Sequence, residues 1–348
     1  MVTMTGPAVP SKVLVVGECL VDLAPLAPEE GGPAPRSGPA GAPQGSQRLL
    51  ALPGGSAANV ALALTRLGVP TAFAGRFSDQ GFGPWLREHL WANRVDLAPS
   101  VQADEPPTLA VVALDSAGRA SYTFYGPGTA DWQWAPGELI APDALSDVGA
   151  VHTGSLALAL LPGAQVLSEW LQAVREQSQA VISVDPNVRP GFIGDLSRYR
   201  ERLTEVLHGA HIIKLSEEDL GLLAPEHGPA DVARRWLSAE ARLVIVTYGA
   251  GGATAFHRSG AVCSSRAAEV DVSDTIGAGD TFSAGLLAWL SDHGALAAGP
   301  GTLDGLGPED LRAALEQATS AAALACTRPG ADPPNRDELD AFMARSNA

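Results

Sequence analysis

The chain has 348 residues, enough to bury one large core or two modest ones. Its 23 basic and 39 acidic side chains leave a net charge of −16, which repels phosphodiester backbones and anionic lipid and argues against nucleic acid or a membrane surface as a partner. Three scattered cysteines without a CxxC pair suggest neither a disulfide framework nor a cysteine zinc site; with no membrane-length apolar run and no signal-peptide core, a cytoplasmic protein is expected.

Residues 1–12 read as a disordered N-terminus. "KVLVVGECLVDLAP" then reads as strand, tight turn and strand, because apolar residues run together and then alternate around Gly17. Residues 27–47 are rich in Pro, Gly and Ser and have almost nothing to bury, so a flexible surface loop is expected. "GGSAANVALALTRLG" opens a helix with Leu62, Leu64 and Leu67 on it and Gly68 as its stop. A strand at 71–75 and a helix through "FGPWLREHLWANR" follow. "TLAVVALDSAGRASYTFY" differs: two β-rich runs around "DSAGR" make a hairpin with no helix between them, part of a separate small sheet. From "AVHTG" to "RLVIVTYG" strands alternate with helices at 162–178, 195–208 and from 216, which predicts right-handed βαβ units and a mostly parallel sheet. Helices are expected at 278–291, 308–326 and 335–345, and no solenoid repeat is visible.

A parallel α/β chain invites a nucleotide, but the common phosphate grips are missing. With only Lys12 and Lys214 present, no GxxxxGK[ST] loop can exist. "GPGTAD" at 126 and "GAGDTF" at 277 lack the third glycine of a dinucleotide fingerprint, which disfavours a nicotinamide oxidoreductase. No HExxH, GxSxG or His/Cys cluster appears.

What remains is "DTIGAGDTFSAGLL", residues 274 to 287. Glycines at 277 and 279 let main-chain N–H groups face one point, and the following helix adds its positive end there. Such an anion hole suits a transferring phosphoryl group, and the carboxylate of Asp280 beside it suits a general base for an attacking hydroxyl. The plain alternative, a tight turn with Asp280 as a helix cap, fits the same residues.

The longer string "DTIGAGD" with "TFSAGLL" resembles the C-terminal signature of the ribokinase-like (PfkB) carbohydrate kinases, and "PGGSAANVALALTRLG" resembles that family's N-terminal signature. The resemblance runs from Val13 to about Pro334 apart from the Pro/Gly loop, and "GECLVDL", "FYGPGTADW", "HTGSLAL", "SVDPNVRPGF" and "ACTRPGA" look most like bacterial fructokinases. It implies a Rossmann-type α/β domain, mostly parallel, over 13–345, with a small β-sheet lid from about 13–24, 48–53 and 107–125, and a homodimer paired through the lid. By the same resemblance Asp280 is the catalytic base, and Gly277, Ala278 and Gly279 form the anion hole. Asp22, Gly54, Gly55 and Asn59, with Asp280, bind the sugar, whose hydroxyls each give and take hydrogen bonds. Asn187, Arg189, Lys214, Thr247, Gly249 and Gly252, with Gly277 and Gly279, meet ATP, and Asp185 stands with Asn187 at a strand's C-terminal end. Mg²⁺ is implied through water at Glu218 or Asp219, where "SEED" departs from the family's Asn-x-x-Glu, and K⁺ near Asp274, Ile276 and Gly330.

The implied activity is ATP-dependent phosphorylation of a primary hydroxyl of a free sugar, fructose first, giving fructose 6-phosphate. The rivals are a 2-keto-3-deoxygluconate, ribose or nucleoside kinase of the same family, and a ligand-sensing protein without catalysis. Gly126 stands where related fructokinases usually carry arginine after the lid's aromatic pair, which speaks against an anionic acid sugar and weakens the fructose assignment slightly.

Overall fold

The computed structural model describes residues 11–25, 48–114 and 120–346. The expected N-terminal disorder, apart from its last two residues, the Pro/Gly loop 27–47 and the hairpin turn 115–119 lie outside the described residues.

Strand β1 (Lys12–Val16) leads through residues 17–19 to β2 (Leu20–Pro25), and β3 (Leu49–Gly54) enters α1 (Ser56–Arg66). Next come β4 (Thr71–Ala74), β5 (Arg76–Ser78), α2 (Gly83–Ala92), β6 (Val101–Ala103) and the paired β7 (Leu109–Leu114) and β8 (Ala120–Tyr125). Alternation then sets in: β9 (Val148–Gly154), α3 (Gly163–Gln177), β10 (Val181–Asp185), α4 (Leu196–His208), β11 (Ile212–Ser216), α5 (Glu217–Leu223), α6 (Pro229–Leu237) and β12 (Leu243–Thr247). The hairpin β13 (Ala253–His257) and β14 (Val262–Ser265) precedes α7 (Ala278–Asp292), α8 (Pro308–Ala325) and α9 (Arg336–Ser346).

The large sheet has eight strands in the order β14-β13-β12-β11-β10-β9-β1-β4. From β4 to β12 every pairing is parallel, and β13 and β14 close one edge antiparallel. Both faces of a parallel sheet need cover, and its strands show it. Val13 and Val15 of β1 face one apolar cluster with α1, α7 and α8, while Leu14 and Val16 face another with α3, α4 and α6. β12 repeats the pattern: Leu243 and Ile245 on one side, Val244 and Val246 on the other. Helix α7 is buried from Asp280 to Ser291. Its Leu287 and Leu290, both at 0 % exposure, each contribute about 1.5–3 kcal/mol of transfer free energy. That anchorage holds the start of α7 in a fixed place.

The small sheet runs β3-β2-β7-β8, with β2 and β7 parallel and the outer pairs antiparallel. The expected lid segment 13–24 needs correction. β1 lies inside the large sheet between β9 and β4, and only Leu20–Pro25 joins the small one. The reason is burial: Val13 to Val16 are covered on both faces, whereas beyond Leu20 and Val21 the strand β2 is half exposed. Asp131, buried in a short turn after β8, ties the crossover to the small sheet. Its Oδ1 accepts from Cys19 N–H at 2.9 Å and its Oδ2 from Thr108 Oγ1 at 2.6 Å. A third, two-stranded pairing of β5 with β6 and the helix α6 had no counterpart in the sequence reading.

Candidate active site

The site is built where α1 and α7 begin side by side. The carboxylate of Asp280, 7 % exposed, accepts from Ser56 Oγ at 2.6 Å on Oδ1 and from Asn59 Nδ2 at 2.8 Å on Oδ2. Both donors sit in the first turns of α1, so the "GGSAAN" string and the "GAGD" string meet although 221 residues separate Asn59 from Asp280. Asp280 is therefore bound by side chains across the site, not used as a cap of its own helix, whose start has no side-chain cap.

Three positions show why glycine is needed. Gly277, the N-cap of α7, has φ 74°, and a Cβ there would lie 2.9 Å from Ala331 Cβ. At the other helix start, Gly55 has φ 103° and a Cβ would meet the Glu18 carbonyl oxygen at 2.6 Å, while one on Gly54 would meet Asp22 Oδ2 at 2.2 Å. The paired glycines thus let the segment 18–22 lie directly against the mouth of α1.

Main-chain donors at the start of α7 follow from helix geometry, since the first N–H groups of any helix have no acceptor inside it. The anion hole as expected is corrected at one point. The N–H of Ala278 donates to Thr275 O at 3.2 Å, and the first helical bond runs from Thr281 N–H to Gly277 O at 2.8 Å. That bond takes Ala278 out of the expected set and leaves in it the N–H groups of Gly277 and Gly279, with a cation beside the latter. A Cβ built on Gly279 would lie 3.1 Å from Lys214 Nζ.

Lys214 is itself buried and pairs with Asp185 at 2.8 Å, at side-chain exposures of 7 % and 2 %. Burial opposes its charge, but Asp185 prevails and the ammonium is held above its ordinary pKa. Burial raises the Asp185 carboxyl to about 6 against the pull of Lys214, with Asp219 adding to the rise, so both partners are charged at neutral pH. Asp22 is likewise raised to about 6, by burial and then by the charge of Asp280.

Two cavities meet at this point. The first, about 680 Å³, is walled by Asp22, Gly55, Ser56, Asn59, Asn187, Arg189, Glu218 and Asp280, with Leu20, Phe124 and Leu156 as its apolar side. The second, about 460 Å³, lies among Thr247, Gly249, Gly252, Val270, Val272, Phe282, Ala323 and Cys326 and is far more apolar. Thr275 and Gly279 belong to both. Phe124 of β8 also packs on Phe192 in the turn after β10, at a centroid distance of 3.7 Å with the rings tilted by 49°.

Most residues singled out in the sequence come together here, with three shifts. Asn187 and Arg189, expected at the nucleotide, line the first cavity with Asp22 and Asp280. Asp219 does not face a ligand: Val188 N–H donates to its Oδ1 at 2.7 Å, and Ser216 N–H and Oγ to its Oδ2 at 2.9 and 2.7 Å. It is the N3 partner of a capping box at α5, so of the acidic pair Glu218 alone reaches the cavity. Asp274, Ile276 and Gly330 do cluster, with the amides of Ile276 and Gly330 donating to Asp274 at 3.0 and 2.9 Å. Among the described residues no group of three or more His, Cys, Asp or Glu side chains forms a metal cage. Glu218 in the wall of the first cavity fits a cation held chiefly by nucleotide and water, as Mg²⁺ usually is.

The sequence reading missed Ser56 and Glu18. Ser56 stood inside a quoted motif, and only the fold reveals its hydroxyl on Asp280. The apolar wall of the second cavity was also missed, because Val270, Val272 and Ala323 carry no chemical mark in a sequence.

Several known proteins resemble this chain. A fructokinase of Rhizobium leguminosarum bv. trifolii is 37 % identical over 280 residues, covering 80 % of this chain and 79 % of that protein. The crystal structure of a fructokinase with bound ATP from Xylella fastidiosa superposes with a TM-score of 0.84 at 27 % identity, over 98 % of this chain and all of that one. A double-mutant fructokinase of Vibrio cholerae O395 in fructose, ADP and potassium ion bound form superposes at 0.79, again at 27 % identity, over 97 % and 100 % of the two chains. With two signature strings joined at one carboxylate, and with residues 10–338 matching the pfkB family carbohydrate kinase pattern, the chain belongs to that family.

Proposed function

We propose that the chain phosphorylates the primary hydroxyl of free fructose with ATP, giving fructose 6-phosphate and ADP. The observation that carries this is the junction of the two cavities at Gly279, with Asp280 in the wall of the first. A sugar in the polar cavity and a nucleotide in the apolar one put hydroxyl, base and γ-phosphate at a single point.

In the reaction Asp280 takes the proton of the attacking hydroxyl as its oxygen bonds to the γ-phosphorus and the bond to the ADP oxygen breaks. The amides of Gly277 and Gly279, the positive end of α7 and Lys214 meet the charge that spreads over the phosphoryl oxygens. Asp22 and Asn59 accept and donate to the other sugar hydroxyls, Gly54 and Gly55 leave room for them, and Asn187 and Arg189 close the far wall. Thr247, Gly249 and Gly252 flank the nucleotide. Glu218 would hold the water of a bound Mg²⁺, whose charge would help neutralise the phosphates. Asp274, with Ile276 and Gly330 beside it, would hold a K⁺ next to the loop leading to the hole.

The lid excludes water, the competing nucleophile. Its outer strand β3 exposes Leu49 at 43 % and Leu50 at 46 %, which supports a homodimer paired lid to lid. Three free cysteines and ATP as the donor suit a reducing cytoplasm, and no described helix is long and apolar enough to cross a membrane.

The test is a coupled assay of ADP release over fructose, ribose, 2-keto-3-deoxygluconate and adenosine. Fructose is expected to give the highest kcat/KM. Turnover of another member of the panel with none of fructose would overturn the substrate, and turnover of none would overturn the activity.

A further inference from the structure

Glu18 has no part in the reaction described above, yet it lies at its centre. It occupies the crossover between β1 and β2, is 1 % exposed, and belongs to the wall of the first cavity. Its Oε1 accepts from Ser56 N–H at 2.9 Å, and its Oε2 is buried with no hydrogen-bond partner. Ser56 is the residue whose Oγ donates to Asp280. Glu18 therefore grips the backbone of the serine that orients the base.

The charged and titratable groups around it are unfavourable to a second anion. Asp131 faces it from the turn after β8 and Asp280 from α7, and its chain neighbour is the buried thiol of Cys19. A buried carboxylate with one unbonded oxygen and two acidic neighbours carries a large desolvation and repulsion cost, which a neutral acid avoids. Deeper burial and a missing partner thus point the same way.

We propose that Glu18 works as a neutral carboxylic acid, a positioning residue that fixes Ser56 on Asp280 without adding charge beside the base, and that its ionisation disables phosphoryl transfer. Burial, opposed by its own main-chain contact and reinforced by Asp131 and Asp280, pushes its carboxyl up to about 8. At neutral pH the acid form prevails. Above that value a further negative charge appears where an anionic phosphoryl group must approach. The inference rests on the phosphotransferase reading, and its test separates the two.

Three measurements decide it. Glu18→Leu removes the acceptor of Ser56 N–H and is expected to lower kcat tenfold or more with less than a threefold change in the sugar KM. Glu18→Gln, which keeps an acceptor and cannot ionise, is expected to recover most of that loss and to lack the fall of kcat above pH 8 expected of the unaltered enzyme. A Glu18→Gln enzyme with the same alkaline fall, or a Glu18→Leu enzyme with full kcat, overturns the proposal. Infrared spectra of the unaltered protein read the proton without turnover or variants. Asp22, Asp131 and Asp185, raised only to about 6 chiefly by burial, are ionised by pH 7.5, so a carboxylic C=O band still present there and lost by pH 9 belongs to Glu18. Absence of that band at pH 7.5 refutes the neutral acid, even in a protein that phosphorylates no sugar.

Discussion

Replacing Asp280 by Asn isolates the chemistry of the base from its structural setting. The carboxylate now takes one hydrogen bond from a hydroxyl at 2.6 Å and one from an amide NH₂ at 2.8 Å. An asparagine of the same shape keeps its carbonyl on Asn59 and can turn its NH₂ toward Ser56, whose hydroxyl rotates from donor to acceptor. Both contacts survive, the one to Asn59 unchanged and the one to Ser56 in reversed polarity, so the fold loses nothing there, and one buried negative charge among Glu18, Asp22 and Asp185 disappears. The melting temperature is expected to hold or rise slightly. What is lost is the oxygen that receives the hydroxyl proton. General-base help of this kind is worth about 10²–10⁴ in rate, or roughly 3–5 kcal/mol of barrier at 1.36 kcal/mol per decade. In the coupled assay kcat should fall by that range, with the sugar KM within about threefold, since binding contacts remain. A variant whose kcat stays within tenfold of the parent would refute Asp280 as the base. A variant with a large fall in melting temperature would refute the argument that its hydrogen bonds survive.

Four further outcomes follow. Gly277→Ala places a Cβ 2.9 Å from Ala331 Cβ at φ 74°, so strain of about 1–2 kcal/mol is expected, with a kcat loss of roughly tenfold or more and unchanged far-ultraviolet dichroism. Lys214→Met leaves Asp185 buried without its cation and should cost about 3–5 kcal/mol, a melting-temperature loss on the order of 10 °C, with a raised KM for ATP; adding Asp185→Asn should restore part of the stability but not the KM. The ligand-free protein should lose stability as pH rises from the ordinary histidine value of 6.5 to about 8. Burial holds His152 and His211 neutral, at about 3 and about 4, so they add stability with rising pH only below that window. Within it the unfolded chain has already released the Glu18 proton while the folded one keeps it, so stability declines by about 1.4 kcal/mol per pH unit up to about 8, and it declines again from the ordinary thiol value of 9.0, where the unfolded chain ionises the Cys19 thiol that burial keeps protonated; a melting temperature flat or rising across the window in a pH series of melts contradicts this sign. Leu50→Asp on the exposed face of β3 should halve the mass measured by light scattering, and an unchanged mass removes the lid-to-lid dimer.

The strands and crossovers of the parallel sheet are legible in the alternation of apolar runs and periodic helices, because burial on two faces leaves that pattern in "VLVV", "VISVD" and "LVIVT". The two glycine strings were legible for a similar reason. A position that tolerates no Cβ, as at Gly55 and Gly277, can be filled in few ways, so the constraint is written in the residue itself. Asp280 stood out by following such a string.

Other assignments depended on distance in space, which sequence spacing does not encode. The pattern "KVLVVGECLVDLAP" looks like one hairpin, and only packing divides it between two sheets. Asp219 and Glu218 are adjacent acids, yet a capping box buries one while the other reaches the cavity. The amide of Ala278 looks as free as that of Gly279 until the turn back to Thr275 is seen. Local backbone demands and periodic burial act on neighbouring residues and so are fixed along the chain, whereas the charge state of Glu18, the partners of Asp280 and the meeting of two cavities are set by groups more than a hundred residues apart, which only the folded chain brings within a few ångströms.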